Sequence, residues 1–202
     1  MNIFINRMYD LRRGIKDERG FSLVEVVVVV AIIGILAAIS MESMDLVRRE
    51  RVSSASKRLL GDLQGVRMDA MSTGPSGTMD AMQYIRGAGI RLVSSSQYVT
   101  FKFNDCNQDY IYSSTSCTGS TPEEYLSTTV TLPNNVQLFT APTSTIVLFD
   151  HLGMAHKYDW TSLGGSPIVF VVQWPSLASY CINVSNNKIR EGSWDGTTCN
   201  EK

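Results

Sequence analysis

The sequence predicts an α+β protein: one long N-terminal helix, followed by a β-rich domain whose sheet is largely antiparallel. Three observations carry this. The run Phe21–Met41 is apolar apart from one acid, Glu25. An amphipathic pattern with steps of three and four follows it directly. Beyond Pro75 the chain breaks into short β-like runs separated by Gly, Pro, Asn and Ser, without the βαβ alternation that a parallel sheet requires.

The apolar run comes first. Its 21 residues, at about 1.5 Å per residue, make a helix of roughly 30 Å, the thickness of a hydrocarbon core. Val26 to Val30 favour strand by propensity, but in lipid only a helix satisfies its own backbone. Residues 1–19 carry Arg7, Arg12, Arg13, Lys16 and Arg19 against Asp10, Asp17 and Glu18. This basic excess keeps the N-terminus cytoplasmic and sends the remainder outward. A signal peptide would be cut after its apolar core at small residues. Here the run is too long, and Ser40-Met41-Glu42 is a poor exit site. The small residue, Gly20, stands before the run instead.

Glu25 needs a reason to be there. A carboxylate in mid-membrane costs about 2.5–3.5 kcal/mol on insertion scales. Within two turns of the helix start the cost is lower, because the helix dipole favours an anion. One reading is an acid snorkelling at the interface. The other is a chain cut after Gly20, whose new amine on Phe21 pairs with Glu25 of another subunit.

The amphipathic stretch places Val52, Ala55, Leu59, Leu63, Val66 and Ala70 on one helical face. Gly61 and Gly65 are expected to let the helix approach a sheet closely. Thr73-Gly74-Pro75 reads as a stop, so the helix should run from Phe21 to about Ser72. The cluster Arg48–Arg51 reads as a solvated face just outside the membrane, with lipid phosphate contact as the alternative.

The resulting organisation is 1–20 leader, 21–41 membrane segment, 42–73 amphipathic helix and 74–202 globular head. About 130 residues are enough for one core. Residues 74–89 read as a loop, and so do 113–121. "GIRLVS" and "QYVTFKF", separated by Ser95-Ser96, read as a hairpin. "STTVTL", "VQLFT", "STIVLFD", "PIVFVVQ" and "YCINV" read as further strands.

The four cysteines, Cys106, Cys117, Cys181 and Cys199, allow three pairings. Short loops favour Cys106–Cys117 and Cys181–Cys199. Free thiols outside the cytoplasm would be unusual. With no C-x-x-C spacing and two histidines, a zinc site is not expected. Asp150-His151 with Ser166 or Ser176 is the nearest approach to a catalytic set, and nothing in the sequence fixes its geometry; His151 and His156 read as surface or edge residues. There is no P-loop and no dinucleotide fingerprint. The expectation is a non-enzyme without metal or cofactor.

The N-terminal pattern resembles the type IV prepilin family: a short basic leader, Gly20, Phe21, Glu25 five residues into the mature chain, then "AIIGILAAI" (Ala31–Ile39). The resemblance implies cleavage after Gly20 by prepilin peptidase, N-methylation of Phe21, and a role for Glu25 in registering an incoming subunit. It implies other pilins as partners, a single pass through the bacterial inner membrane with the head in the periplasm, and a filament after assembly. Many pilins have a Pro after "AI" where this chain reads Ile39-Ser40-Met41, so a kink there is not implied.

The head resembles the GspH/FimT group of minor pilins and type II secretion pseudopilins. "STIVLFDHLGMAHKY", with Phe149 and Gly153, is similar to a strand–turn–strand signature of that group. "RLLGDLQGVRMDAMSTG" and "INVSNNKIR" are also similar to its patterns, and the Cys181–Cys199 loop resembles the C-terminal disulfide loop of many pilins. The function implied is a structural subunit of a type IV pilus or type II secretion pseudopilus, at or near its tip. The alternative is a tip-located binding module, an adhesin or a DNA receptor. Some FimT-like proteins bind DNA through a Gly-Arg-x-Arg turn, and Asn187-Lys188-Ile189-Arg190 lies at the comparable place. Asn187 would take the left-handed position there, leaving Lys188 and Arg190 to meet phosphates. Against this, Glu191 follows directly, and loss of the leader leaves 13 basic against 16 acidic residues.

Overall fold

Helix α1 runs from Leu23 to Ser72 as one element of 50 residues. The structure, a computed structural model, describes residues 20–72, 86–105, 111–112 and 124–201. The chain divides into two units, Met1–Ser43 and Met44–Lys202. In the first, the apolar side chains of α1 stand exposed on every side: Val26, Ile32, Ile35, Leu36 and Ile39 are each more than half accessible. A helix apolar all round is matched to lipid or to other helices, not to water.

In the second unit the predicted stripe is the buried one. Val52, Leu59, Leu63 and Ala70 are fully inaccessible, and Ala55 and Val66 nearly so. Among the described residues ten strands follow: β1 Arg86–Ser94, β2 Gln97–Asn104, β3 Glu124–Thr131, β4 Gln137–Ala141, β5 Ile146–Phe149, β6 Ala155–His156, β7 Ile168–Trp174, β8 Ala178–Val184, β9 Ile189–Trp194 and β10 Cys199–Glu201. They form two five-stranded sheets, ordered β3-β2-β1-β5-β6 and β10-β9-β8-β7-β4. Every described pairing is antiparallel. The α+β class read from the sequence is therefore the one observed, with two sheets where the sequence suggested one.

The core joins the helix stripe to one face of each sheet. Ala88, Ile90, Tyr98 and Val130 come from the first; Leu138, Phe170, Val172, Ile182 and Val184 from the second. Each large side chain buried here contributes about 1.5–3 kcal/mol relative to exposure. Polar ties fix the helix against the first sheet. The Tyr98 hydroxyl donates to Asp62 Oδ2 at 2.5 Å, and Lys102 pairs with Asp69 at 3.6 Å. Burial first, and then the bond to Asp62, push the Tyr98 phenol well above its usual value.

The glycines behave differently from expectation. Gly61 and Gly65 are exposed, and a Cβ on either would meet nothing within 4 Å. They do not bring the helix closer to a sheet, because the stripe that packs is the opposite one. Close approach occurs instead within the segment read as a loop. Gly87 and Gly89 belong to β1, opposite Phe103 and Phe101 of β2. A Cβ there would stand 2.9 Å and 2.6 Å from those rings. The rings lie across the glycines and close a second cluster with Val99, Ile146 and Leu148, under Tyr112 and Trp160. The helix stop at Thr73-Gly74-Pro75, the rest of the 74–89 loop and the 113–121 loop lie outside the described residues.

Two stability predictions follow from these contacts. Gly61→Ala and Gly65→Ala should each raise stability by about 0.5–1 kcal/mol, whereas Gly89→Ala should lower it; denaturant unfolding of the full chain in detergent reads both signs. Because the folded Tyr98 phenol is raised above its unfolded value of 10.0, its contribution is complete below pH 10 and is lost as pH rises further. Unfolding free energy should decline above that pH, and decline less in Tyr98→Phe.

Candidate functional site

The N-terminal segment is built around a helix start. Gly20 and Phe21 are exposed and non-helical, with Phe21 78% accessible. The Ser22 carbonyl accepts from Val26 N at 3.2 Å, so Ser22 caps a helix that begins at Leu23. Glu25 sits in its first turn, three residues after Ser22, which is the spacing of a capping box. An acid in the first turn is stabilised by the dipole by about 0.3–1 kcal/mol. The Gly20–Phe21 peptide is thus an accessible bond directly ahead of the helix. Leader residues 1–19 lie outside the described residues.

The C-terminal strands form a second constellation. Cys181 on β8 and Cys199 on β10 are joined by a disulfide, Cα atoms 5.8 Å apart. These strands are not neighbours; β9 lies between them. The bridge passes over Gly192, which pairs with Cys181. A Cβ on Gly192 would stand 3.0 Å from Cys199 Sγ and 2.4 Å from the Asn200 carbonyl, so only glycine leaves room. Phe139 and Trp194 meet edge to face at 6.3 Å. The Asp195 carboxylate accepts from the amides of Thr197 and Thr198 and from the Thr198 hydroxyl. The Thr198 hydroxyl first, then these amides, hold it well below the usual carboxylate range. Cys106 and Cys117 lie outside the described residues.

Of the two cations that the sequence offered for phosphate contact, Lys188 is exposed and Arg190 stands in a surface ion pair. Lys188 is exposed in the β8–β9 turn, where its carbonyl accepts from Ser185 N at 2.9 Å. Arg190 Nη1 pairs with Glu201 Oε2 at 2.7 Å, and Asn183 Nδ2 donates to the same carboxylate at 2.6 Å. Arg190 above all lowers the Glu201 pKa. Asn187 is not among the residues with left-handed backbone; the turn closes without it.

Asp150 pairs with His156, not with its neighbour His151. Their Nε2–Oδ2 distance is 3.0 Å, while Asp150 Oδ1 accepts from the amides of Leu152 and Met154 at 2.9 and 2.8 Å. The His156 ring stacks on Trp160 at 4.6 Å, and its Nδ1 lies 3.2 Å from the Trp160 carbonyl. The partners of both groups are each other and the main chain, so they shape the β5–β6 turn. Gly153 in that turn has φ +72°, and a Cβ there would stand 2.9 Å from both Arg67 Nε and Met71 Sδ of α1. Among the described residues no group of three His, Cys, Asp or Glu could hold a metal ion.

At the start of the second unit, Arg48 bonds Asp45 at 3.1 Å and lies over the Trp174 ring, 5.6 Å from its centre. Sequence reasoning saw the arginines and not the tryptophan, which is distant along the chain.

The disulfide fastens a three-residue edge strand. Replacing Cys181 and Cys199 together by serine should cost about 3 kcal/mol in the chain-entropy account, and should speed amide exchange in β10 more than in β7. Equal exchange in the two strands would show that the bridge does not secure the edge.

Residues 15–41 match the family model described as the prokaryotic N-terminal methylation motif. No curated protein and no solved structure matches the chain. The matched residues include Gly20, Phe21 and Glu25 and end before the second unit, so the head is not covered by them. Over that segment the chain carries the motif of type IV pilin-like prepilins, at the head of a helix long and apolar enough to cross a membrane.

Proposed function

We propose that the chain is a structural filament subunit. Prepilin peptidase cuts it after Gly20, Phe21 is methylated, and the mature subunit enters a type IV pilus or type II secretion pseudopilus beside other pilins. The observation that carries this reading is the methylation motif, centred on an exposed Gly20–Phe21 bond directly ahead of the helix. Before assembly the subunit is anchored in the inner membrane with its head in the periplasm. The first unit supports this with a helix whose apolar side chains are accessible all round.

A minor, tip-proximal subunit of the GspH/FimT type is the finer reading. It is supported by the β5–turn–β6 element around Phe149 and Gly153 docked on α1, and by the C-terminal disulfide hairpins. A structural role fits better than a catalytic one, since Asp150 and His156 are occupied in a turn. The alternative of a DNA-receptor or adhesin tip module has less support, because Glu201 answers the charge of Arg190.

Mass spectrometry of protein from its native host should find N-methylphenylalanine at Phe21; a mature N-terminus beyond Ser40 would establish a signal peptide instead. Glu25→Val should insert in the membrane as well as the parent chain or better, while its incorporation into filaments falls at least tenfold. Assembly at the parent level would remove the pairing role from Glu25.

A further inference from the structure

We propose that His156 is a pH-responsive clasp. Its ring donates from both nitrogens at once, to Asp150 and to the Trp160 carbonyl, and holds the 157–160 turn in place fully only while it carries both protons. This goes beyond the filament reading and does not depend on it.

What each ring nitrogen faces decides the matter. Nε2 lies 3.0 Å from Asp150 Oδ2, and Nδ1 lies 3.2 Å from the Trp160 carbonyl oxygen. A carbonyl oxygen only accepts, and so does a carboxylate. The other carboxylate oxygen, Oδ1, is taken by the amides of Leu152 and Met154, which aims Oδ2 at the ring. Neutral imidazole has one N–H and one lone pair. In that form one nitrogen sets its lone pair against an acceptor. The cationic ring donates to both, and a bond between charged partners is the stronger kind. The ring also stacks on the Trp160 indole at 4.6 Å with the planes 2° apart, and an indole face attracts a cation.

The surrounding charges leave Asp150 as the partner that sets the ring's state. The His156 and Asp150 side chains are 16% and 14% accessible, so water screens the pair only in part. Lys157 and Asp159 flank the ring on the following turn, and Asp159 is engaged by the Thr161 hydroxyl and amide. His151, beside Asp150, is exposed. From α1, Arg67 reaches the β5–β6 turn at Gly153. Across the second cluster, the Tyr112 hydroxyl donates to Glu124, which also holds Arg91.

Trp160 is what the clasp secures. Its backbone is left-handed, with φ 57°, a conformation that a bulky residue keeps only under constraint. Its ring meets Phe103 edge-on at 5.5 Å and covers the second cluster. One histidine thus supplies both the bond to the Trp160 carbonyl and the stack on its ring. Histidine changes charge near neutral pH. The clasp is complete on the acid side of that change and loses a bond as pH rises and the ring gives up a proton.

The test uses the full chain in detergent, with histidine rings labelled with nitrogen-15; His151→Gln assigns the two sets of ring signals. At pH 7 a free imidazole is mostly neutral, yet both nitrogens of His156 should show the NMR shifts of N–H groups. The thermal unfolding midpoint of the head should fall by about 3 °C between pH 6 and pH 9 through loss of this bond. Asp150→Asn keeps an oxygen for the two amides and turns an N–H toward Nε2, which suits a neutral ring. In that variant the fall should shrink at least twofold. A lone-pair shift at either His156 nitrogen at pH 7 would overturn the clasp in the parent chain itself, whether or not the variant folds. An equal pH dependence in the parent and a folded Asp150→Asn chain would overturn it as well.

Discussion

The head depends on one burial: the stripe from Val52 to Ala70 on α1, enclosed by the inner faces of two antiparallel sheets. Each element is thereby a cover for the others. The polar ties at Tyr98–Asp62 and Lys102–Asp69 fix the helix against one sheet, and the β5–β6 turn does so again through Gly153. The same helix is solvated differently at its two ends. Its N-terminal half has apolar side chains all round and suits lipid; its C-terminal half has one apolar stripe and suits a domain core.

The outer faces of the sheets are closed by two distinct devices, both relying on absent side chains. On the first sheet, Phe101 and Phe103 lie across Gly87 and Gly89 and gather Tyr112 and Trp160 above them. On the second, the Cys181–Cys199 bridge crosses β9 at Gly192 and fastens a short edge strand. In each case glycine is needed because something else occupies the volume of a Cβ. The exposed Gly61 and Gly65 of α1 have no such neighbour, so residue type alone does not distinguish a packing glycine from an open one.

The methylation motif lies at the opposite end of the chain from this architecture. The described apolar side chains of the methylation motif are largely accessible, and its chemistry needs partners: a peptidase for the Gly20–Phe21 bond, and other subunits for the apolar helix. The polar clusters of the head at Asp150–His156, Asp195 and Glu201 serve turns and edges. Arg190 illustrates the limit of reading charge from sequence: an exposed cation on a strand becomes half of an ion pair once β10 folds beside it.

The sequence by itself determined the helix, its apolar and amphipathic halves, the processing motif and most strands, because these are local: period, run length and residue order set them without reference to distant chain. β9 and β10 were not among the runs read as strands, and β6 entered only through the resemblance of its segment to a strand–turn–strand signature; β6 and β10, two and three residues long, are too short for a period to register. Gly87, read as loop, belongs to β1 and pairs with Phe103 of β2. The division into two sheets, the pairing of Asp150 with His156 over adjacent His151, the neutralisation of Arg190 by Glu201 and the placement of Trp174 beside Arg48 were decided only by the tertiary structure. Each is a contact between segments that no local pattern relates, selected when the strands take their register around the buried stripe.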